Sequence, residues 1–425
     1  MKIAIPYGSG RIELDLPGDI NIELVCSNKA SSKRKKEIIQ KALDNPIGSV
    51  PFEKWLTQNS DFLFIINDAT RPTPTLKILK ELGKRMDLEK ARYIIATGAH
   101  KEPQNKEIKL IFGELYNEIK SNVIIHNARD YKSLANIGKT EKGTDVLINK
   151  EIIEAGAIIT IGSVEPHYFA GFTGGRKSFV PGLAGYDTIE QNHKLALKNN
   201  ALPLSLARNP VHLDLLDAFK RIPPIPIFSI QAVVRDEKDI CSVFCGDIHE
   251  SFLKASEYSR DIFIVSVKEK ADIVITVAKP PLDKNLYQAH KAIEHGKFAL
   301  KDGGILILVA ACNDGIGPDN FYKLLSSSID PEKIIKAAKE DYRLGYHKAA
   351  RIAELSKKAE ICAVSEIEDK ILKGMFIKPF DSLREAVNRS MSKKGKGARI
   401  FIVTDGGNII PKAGGKQHKT TYSDF

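Results

Sequence analysis

Short apolar runs alternate along this chain with amphipathic stretches of helical period. Phe62 to Ile66, Tyr93 to Ala96, Val123 to Ile125, Ala157 to Ile161 and Ile262 to Val265 have the compact, unbroken apolar character of strands buried on both faces. Between them, Thr75 to Lys84 and Glu102 to Tyr116 predict helices. A second series begins near Lys268. Ile273 to Val277 and Ile305 to Val309 predict strands, Asn285 to His295 a helix between them, and Pro331 to Lys358 is largely helical. A last strand-like run, Arg399 to Thr404, ends in Asp405-Gly406-Gly407.

Strands separated by helices predict parallel sheets with right-handed crossovers. The expected class is therefore α/β: two α/β domains with mainly parallel sheets and an active-site cleft between them. The expected boundaries are an N-terminal domain over 1–268, a C-terminal α/β domain over 269–396, and a segment over 397–425 that could return to the first domain. The most linker-like stretch is Lys393 to Gly397, and no repeat of 20 to 50 residues is visible.

Composition narrows the partners. Of 425 residues, 43% are hydrophobic and 28% charged, which is ordinary globular usage and excludes wholesale disorder. The longest apolar run, Ile305 to Cys312, falls far short of the roughly 20 residues that span a bilayer, so no membrane partner is expected. The first ten residues lack an apolar signal core, and five cysteines suit a reducing compartment; the expected location is cytoplasmic. A net charge of +11 favours anionic partners. Its densest clusters, Ser32 to Lys36 and Lys393 to Arg399, contain no aromatic residues on which bases could stack. No nucleic acid partner is expected, and both clusters read as solvated surface.

Four constellations could carry chemistry. The first, Asn67-Asp68-Ala69-Thr70-Arg71-Pro72-Thr73-Pro74, directly follows an apolar strand, where ligands bind in open parallel sheets. Arg71 could grip a carboxylate or phosphate through paired hydrogen bonds, with Thr73 capping a helix that Pro74 begins. The plainer alternative is that Asp68 and Thr70 merely shape the turn and Arg71 pairs with a surface acid. The second, Thr97-Gly98-Ala99-His100-Lys101, sets an imidazole beside a flexible glycine after the next strand.

The third is the richest. It runs from Gly162 through Glu165-Pro166-His167-Tyr168-Phe169 and Gly174-Gly175-Arg176-Lys177-Ser178 to Gly185, with six glycines. So many glycines suit a loop that wraps a ligand. A phosphate-binding P-loop needs glycine directly before Lys-Ser, and Arg176 occupies that place, so the pattern fails. Lys177 could instead contact a phosphate, form a Schiff base or anchor a covalent cofactor. His193 follows on a predicted helix; a neutral imidazole there is a common ligand for Zn, Ni, Cu or Fe. Cys241 and Cys245 have no second pair to complete a zinc cage. In the fourth, Tyr287-Gln288-Ala289-His290-Lys291, Gln288 and Lys291 share one helical face and could clamp a carboxylate, while His290 on another face reads as structural.

Taken together, these motifs, in this order and over nearly the whole chain, resemble the nickel-dependent lactate racemase family. The resemblance implies a racemase or epimerase of a small 2-hydroxy acid, lactate or a relative, working by reversible hydride transfer through a 2-keto acid. It implies a nickel pincer nucleotide, a pyridinium thioamide/thiocarboxylate mononucleotide covalent at Lys177, with nickel also bound by His193. It implies that His100 and His167 act as acid and base. By the same resemblance Asp68, Thr70 and Arg71 meet the cofactor, while Arg71, Tyr287, Gln288 and Lys291 meet the substrate. Enzymes that make the cofactor become partners during maturation. One departure stands out: characterised members carry a tryptophan in the second domain, whereas the single tryptophan here is Trp55, and the corresponding region reads Arg343-Leu344-Gly345-Tyr346-His347-Lys348. That departure puts lactate itself in question among the 2-hydroxy acids. Two other classes compete: a divalent-metal hydrolase using His100, His167 and His193, and a non-catalytic anion- or nucleotide-binding protein.

Overall fold

A computed structural model describes residues 2–15, 20–29, 37–236 and 239–414. The basic cluster Ser32 to Lys36 lies outside them. The chain divides into two compact units, Lys29–Asp261 and Met1–Asn28 with Ile262–Ser423. Both are α/β, as expected.

The unit over Lys29–Asp261 is built on six strands in the order Asp239–Gly246, Ile227–Asp236, Ala157–Ser163, Phe62–Asn67, Arg92–Ala96 and Val123–Ile125. All neighbours are parallel except the first two, which form an antiparallel edge hairpin. Central strands such as Phe62–Asn67 (FLFIIN) are apolar on both faces because helices cover both. The helix Thr75–Leu82 buries Ile78, Leu79 and Leu82 against this sheet, where truncation to alanine costs about 2–5 kcal/mol each. The next helix, Asn105–Phe112, starts from a reciprocal capping box between Gln104 and Glu107. Trp55 packs with Phe52, Phe62 and Phe228 in the same core. It is a core residue there.

Topology does the assembling. Ala157–Ser163, Phe62–Asn67 and Arg92–Ala96 are side by side and parallel, so the segments that follow them leave the same edge of the sheet as neighbours. Those segments are the first three constellations.

The other unit carries six parallel strands in the order Ile377–Pro379, Glu360–Val364, Leu300–Val309, Ala271–Val277, Ile400–Val403 and Ile22–Val25. Here the expected boundaries need correction. Residues 1–28 do not belong with 29–268: Ile22–Val25 is an edge strand of the second sheet. Nor does the described part of 397–425 return to the first domain, because Ile400–Val403 sits inside the second sheet and Ile410–Ala413 pairs with Ile264–Val267 of the same unit. Periodicity is a local signal and carries no information about pairing across hundreds of residues. The expected strand Ile262 to Val265 straddles a joint: Ile262 and Phe263 end the helix Ile248–Phe263, and the strand starts at Ile264. Lys393 to Gly397 is the end of the helix Leu383–Lys394 and its turn, with Gly395 at φ +87°. Among the described residues no helix is long and apolar enough to cross a membrane.

Candidate active site

The first two loops meet through a hydrogen bond between His100 and Asp68. His100 Nδ1 lies 2.6 Å from Asp68 Oδ2, while Asp68 Oδ1 accepts from the Thr70 backbone N–H at 3.1 Å and its hydroxyl at 2.6 Å. The carboxylate is buried and the imidazole half-exposed. Burial pushes the Asp68 carboxyl up, but the charge and hydrogen bond of His100, the Thr70 hydroxyl and Arg71 together hold it below the usual carboxylate range. An ionised Asp68 only accepts, so His100 Nδ1 donates to it, and in the neutral ring the lone pair lies at Nε2. Gly98, at φ +56°, makes the turn possible; its N–H donates to the Gly182 carbonyl at 2.9 Å, tying this loop to the glycine-rich one. Arg71 Nη1 contacts Glu165 Oε1 at 3.1 Å, so its expected surface acid is a buried one. Glu165 Oε2 is buried with no partner among the described residues. Thr73 does not cap the next helix; its hydroxyl accepts from Asn67 and bonds Ser163, and Pro74 is the cap residue.

The glycine-rich segment is not an open loop. From Ile161 to Val180 every residue is buried except Lys177, which is half-buried. Two short strands, Pro166–His167 and Gly171–Phe172, fold it back on itself. At Gly174 (φ +80°) a Cβ would lie 2.6 Å from Val164 and 2.7 Å from Gln231, so no other residue fits there. Phe169 is the centre. The His167 ring meets it edge-on at 4.6 Å, the His193 ring at 5.1 Å, and Lys177 Nζ lies 5.8 Å from its centroid. His167 also stacks on Tyr168 at 5.1 Å, and its Nδ1 accepts from the Ala170 N–H at 3.3 Å. His193 is carried in the last turn of the helix Tyr186–Lys194. Thr188 and Asn192 dock that helix, through bonds to Leu147, Asp145 and Asp214.

The fourth constellation lies in the other unit, on the helix Leu286–Gly296, capped by the Asn285 side chain. Gln288 and Lys291 are both half-buried. Tyr287 is braced by Lys348, whose ammonium donates to its carbonyl and sits 3.7 Å from its ring centroid. His290 is fully buried 3.9 Å from Glu294, in keeping with a structural role. Burial pushes the Glu294 carboxyl up, but Lys297, Arg351 and His290 outweigh that and hold it ionised.

All seven residues expected from the first three constellations are thus brought together in two linked clusters. Sequence reasoning missed three contributors: Glu165 as the partner of Arg71, Phe169 as the shared ring, and Lys348 beneath Tyr287. The first two lie inside the quoted motif, but no spacing rule distinguishes them; Lys348 is 61 residues from its partner. Among the described residues no group of three or more His, Cys, Asp or Glu side chains is arranged to hold a metal. The geometry therefore lends no support to a hydrolase built on a metal bound by His100, His167 and His193.

The chain is similar to known proteins over nearly its whole length. Residues 7–203 match the model of the lactate racemase N-terminal domain and residues 266–410 that of the lactate racemase C-terminal domain. The lactate racemase of Thermoanaerobacterium thermosaccharolyticum is 32% identical, over 96% of this chain and 99% of that protein. That of Lactiplantibacillus plantarum is 30% identical, over 97% and 100%. Among solved structures, the lactate racemase apoprotein from T. thermosaccharolyticum superposes with a TM-score of 0.84 at 30% identity, covering 97% of this chain and 100% of that one. A Thermotoga maritima protein shares the fold, with a TM-score of 0.69 at 17% identity, over 85% of this chain and 96% of that one.

Proposed function

The chain belongs to the lactate racemase family, and from that premise we propose that it interconverts the enantiomers of lactate, or of a closely related 2-hydroxy acid, with a nickel pincer nucleotide anchored at Lys177. The observation that carries this reading is the convergence of Lys177, His167 and His193 on one buried ring, Phe169. A protein-only metal site would need several ligating side chains together. One imidazole and one lysine amine suit a group that brings its own metal donors and takes a covalent tether. When bound, that group supplies a pyridinium carbon that takes up the substrate's α-hydrogen as hydride and gives it back.

The chain's own residues do the rest. His100 Nε2, its lone pair fixed by the Asp68 contact at Nδ1, takes the hydroxyl proton of one enantiomer. His167 does so for the other, since inversion presents the hydroxyl differently and one base cannot reach both. Arg71, held by Glu165, binds the carboxylate, and Thr70 and Asp68 line the cofactor side. Following the family resemblance, we also assign Tyr287, Gln288 and Lys291 to the substrate. The buried aromatic wall of Tyr168 and Phe169 keeps water from the flat keto acid. Cofactor-making enzymes act on the chain during maturation. A cytoplasmic location suits the sparse usage of five cysteines.

The test is racemisation of enantiopure 2-hydroxy acids, lactate first, by protein co-expressed with the cofactor-making enzymes, followed by chiral chromatography. Intact mass should show an adduct that disappears in Lys177→Ala along with turnover. An unmodified protein that racemises, or an adduct on another residue, overturns the assignment. Racemisation of other 2-hydroxy acids but not lactate would narrow the substrate to match the Arg343–Lys348 departure.

A further inference from the structure

The sheet of the Lys29–Asp261 unit carries polar side chains where it is fully closed to water. Residues along a strand alternate between its two faces. On one face Ile159, Ile161, Phe228 and Ile230 join the apolar core. On the other, the adjacent strands Ala157–Ser163 and Ile227–Asp236 present Thr160, Gly162, Ser229 and Gln231, with Ser229 opposite Thr160 and Gln231 opposite Gly162. Thr160, Ser229 and Gln231 are all 0% exposed. Polar groups buried in a sheet interior cost desolvation unless each finds a partner.

These three find theirs in a line that leaves the sheet. Thr160 Oγ1 donates to Ser229 Oγ at 2.9 Å, and the Gln231 amide nitrogen donates to the same oxygen. Gln231 Oε1 accepts the Gly175 backbone N–H at 3.1 Å. A backbone N–H can only donate, so it dictates which end of the amide faces it. Gly174 and Gly175 both have left-handed φ, +80° and +54°, and lead into the short turn Gly175–Ser178. A Cβ at Gly174 would lie 2.7 Å from Gln231 Oε1, and one at Gly175 would lie 2.9 Å from Phe252 Cγ, so these two side chains wedge the backbone between them. The Lys177 N–H donates back to the Gly174 carbonyl at 3.1 Å, and the Lys177 carbonyl accepts from the Gly182 N–H at 3.0 Å. The line therefore runs from the sheet, through one amide, to the backbone that carries Lys177.

We propose that Gln231 is a positioning residue for Lys177: its Oε1 is a fixed acceptor that holds the Gly174–Gly175 turn in the one conformation that presents the lysine for covalent attachment of the cofactor. This rests on the attachment proposed above. That step forms a bond from the Lys177 nitrogen to the carbon of a thiocarboxylic acid on the cofactor and breaks a C–O bond. The OH leaves as water with one N–H proton, and nothing is oxidised or reduced. An apolar residue at position 231 would spare the sheet its polar burial; what the amide adds is the grip on the turn. Two successive glycines in left-handed conformations have wide freedom when released, so without that grip the lysine samples many orientations and meets its partner in few of them.

The test takes the whole chain through two measurements. The first is amide hydrogen exchange in protein made without the maturation enzymes, read by mass spectrometry of peptides spanning Thr173 to Phe179. Gln231→Met keeps the volume and removes the acceptor, and exchange there should quicken about tenfold while peptides of the strand Ala157–Ser163 keep the parent rate. Gln231→Asn keeps an amide but falls one methylene short, and should behave like Gln231→Met. Ser229→Ala frees the other end of the amide and should give a smaller change in the same direction; it and Gln231→Asn serve if the methionine variant does not fold. The second measurement is the rate at which the Lys177 adduct accumulates on co-expression with the cofactor-making enzymes, read by intact mass. It should fall about tenfold in Gln231→Met and Gln231→Asn. A merely structural Gln231 predicts that folded variants acquire the adduct at the parent rate. Unchanged exchange in a folded Gln231→Met, or a Gln231→Asn that behaves like the parent, overturns the proposal. Faster exchange with an adduct acquired at the parent rate overturns the positioning role and leaves the attachment standing. A parent chain that never acquires the adduct at Lys177 overturns the attachment, and with it the use assigned to Gln231.

Discussion

The loops bearing His100 and His167 use the same side chain in opposite proton arrangements. His100 is half-exposed and faces a carboxylate, which fixes the proton on Nδ1 and leaves Nε2 a base. His167 is buried among aromatic rings, and its Nδ1 accepts a backbone N–H, which puts the neutral ring's proton on Nε2. In the neutral rings one Nε2 thus carries a lone pair and the other a proton, so in the two-base scheme His167 serves as base only after its Nε2 proton has been given up. What differs is not the residue but the partner at its second nitrogen.

The sharpest way to break the comparison is to remove each ring in turn. His167→Gln and His100→Gln should each lower racemisation at least a thousandfold, measured by chiral chromatography, with the Lys177 adduct retained in both. Substantial racemisation in either would end the two-base scheme. Asp68→Asn tests the partner rather than the ring. It replaces an acceptor that enforces one tautomer with a group that permits both, and should cost about a hundredfold in turnover with little change in KM. At His167 the group bonded to Nδ1 is a backbone N–H, which no side-chain substitution removes. A smaller effect, about tenfold and chiefly in KM, is expected for Glu165→Gln, which loosens Arg71 without deleting it.

The mildest prediction concerns pH and stability. His126, His212 and His295 are buried and held below their usual range chiefly by burial, His295 down to about 4. Between pH 6.5 and 4 the unfolded chain binds protons at His212 and His295 that the folded chain does not, and His126 acts in the same direction. Stability should therefore be full above about pH 6.5 and fall on acidification, by about 1 kcal/mol per pH unit per histidine. Thermal melts from pH 7.5 to 4.5 should show this slope, and His295→Gln should flatten it.

The same contrast explains what was legible beforehand. The strands Phe62–Asn67 and Ala157–Ser163 are continuous apolar runs, and the motifs at their ends stand out because polar residues and glycines follow them at once. His100, His167, Lys177 and His193 could be picked out for that reason. The pairing of Arg71 with Glu165 could not, because two residues separated by 94 positions meet only through the order of strands in a sheet. Phe169 and Phe172 are both buried aromatics, yet only the fold shows that three functional side chains share Phe169. The edge strand Ile22–Val25 offers two exposed positions in four, too weak a pattern to announce itself.

That edge strand bears on how the chain is made. Among the described residues its one neighbour in the sheet is Ile400–Val403, and the Thr404 hydroxyl bonds the Val25 carbonyl across 379 residues. Everything needed for the unit over Lys29–Asp261 leaves the ribosome as one uninterrupted stretch. The other unit begins first and finishes last. At roughly 5–20 residues per second, the opening segment waits on the order of tens of seconds for its partner. A stop codon shortly before Ile400 should thus leave the Lys177 loop folded and protease-resistant while the first 28 residues are cleaved readily, so the order of synthesis lets the glycine-rich loop fold before the edge strand finds its partner.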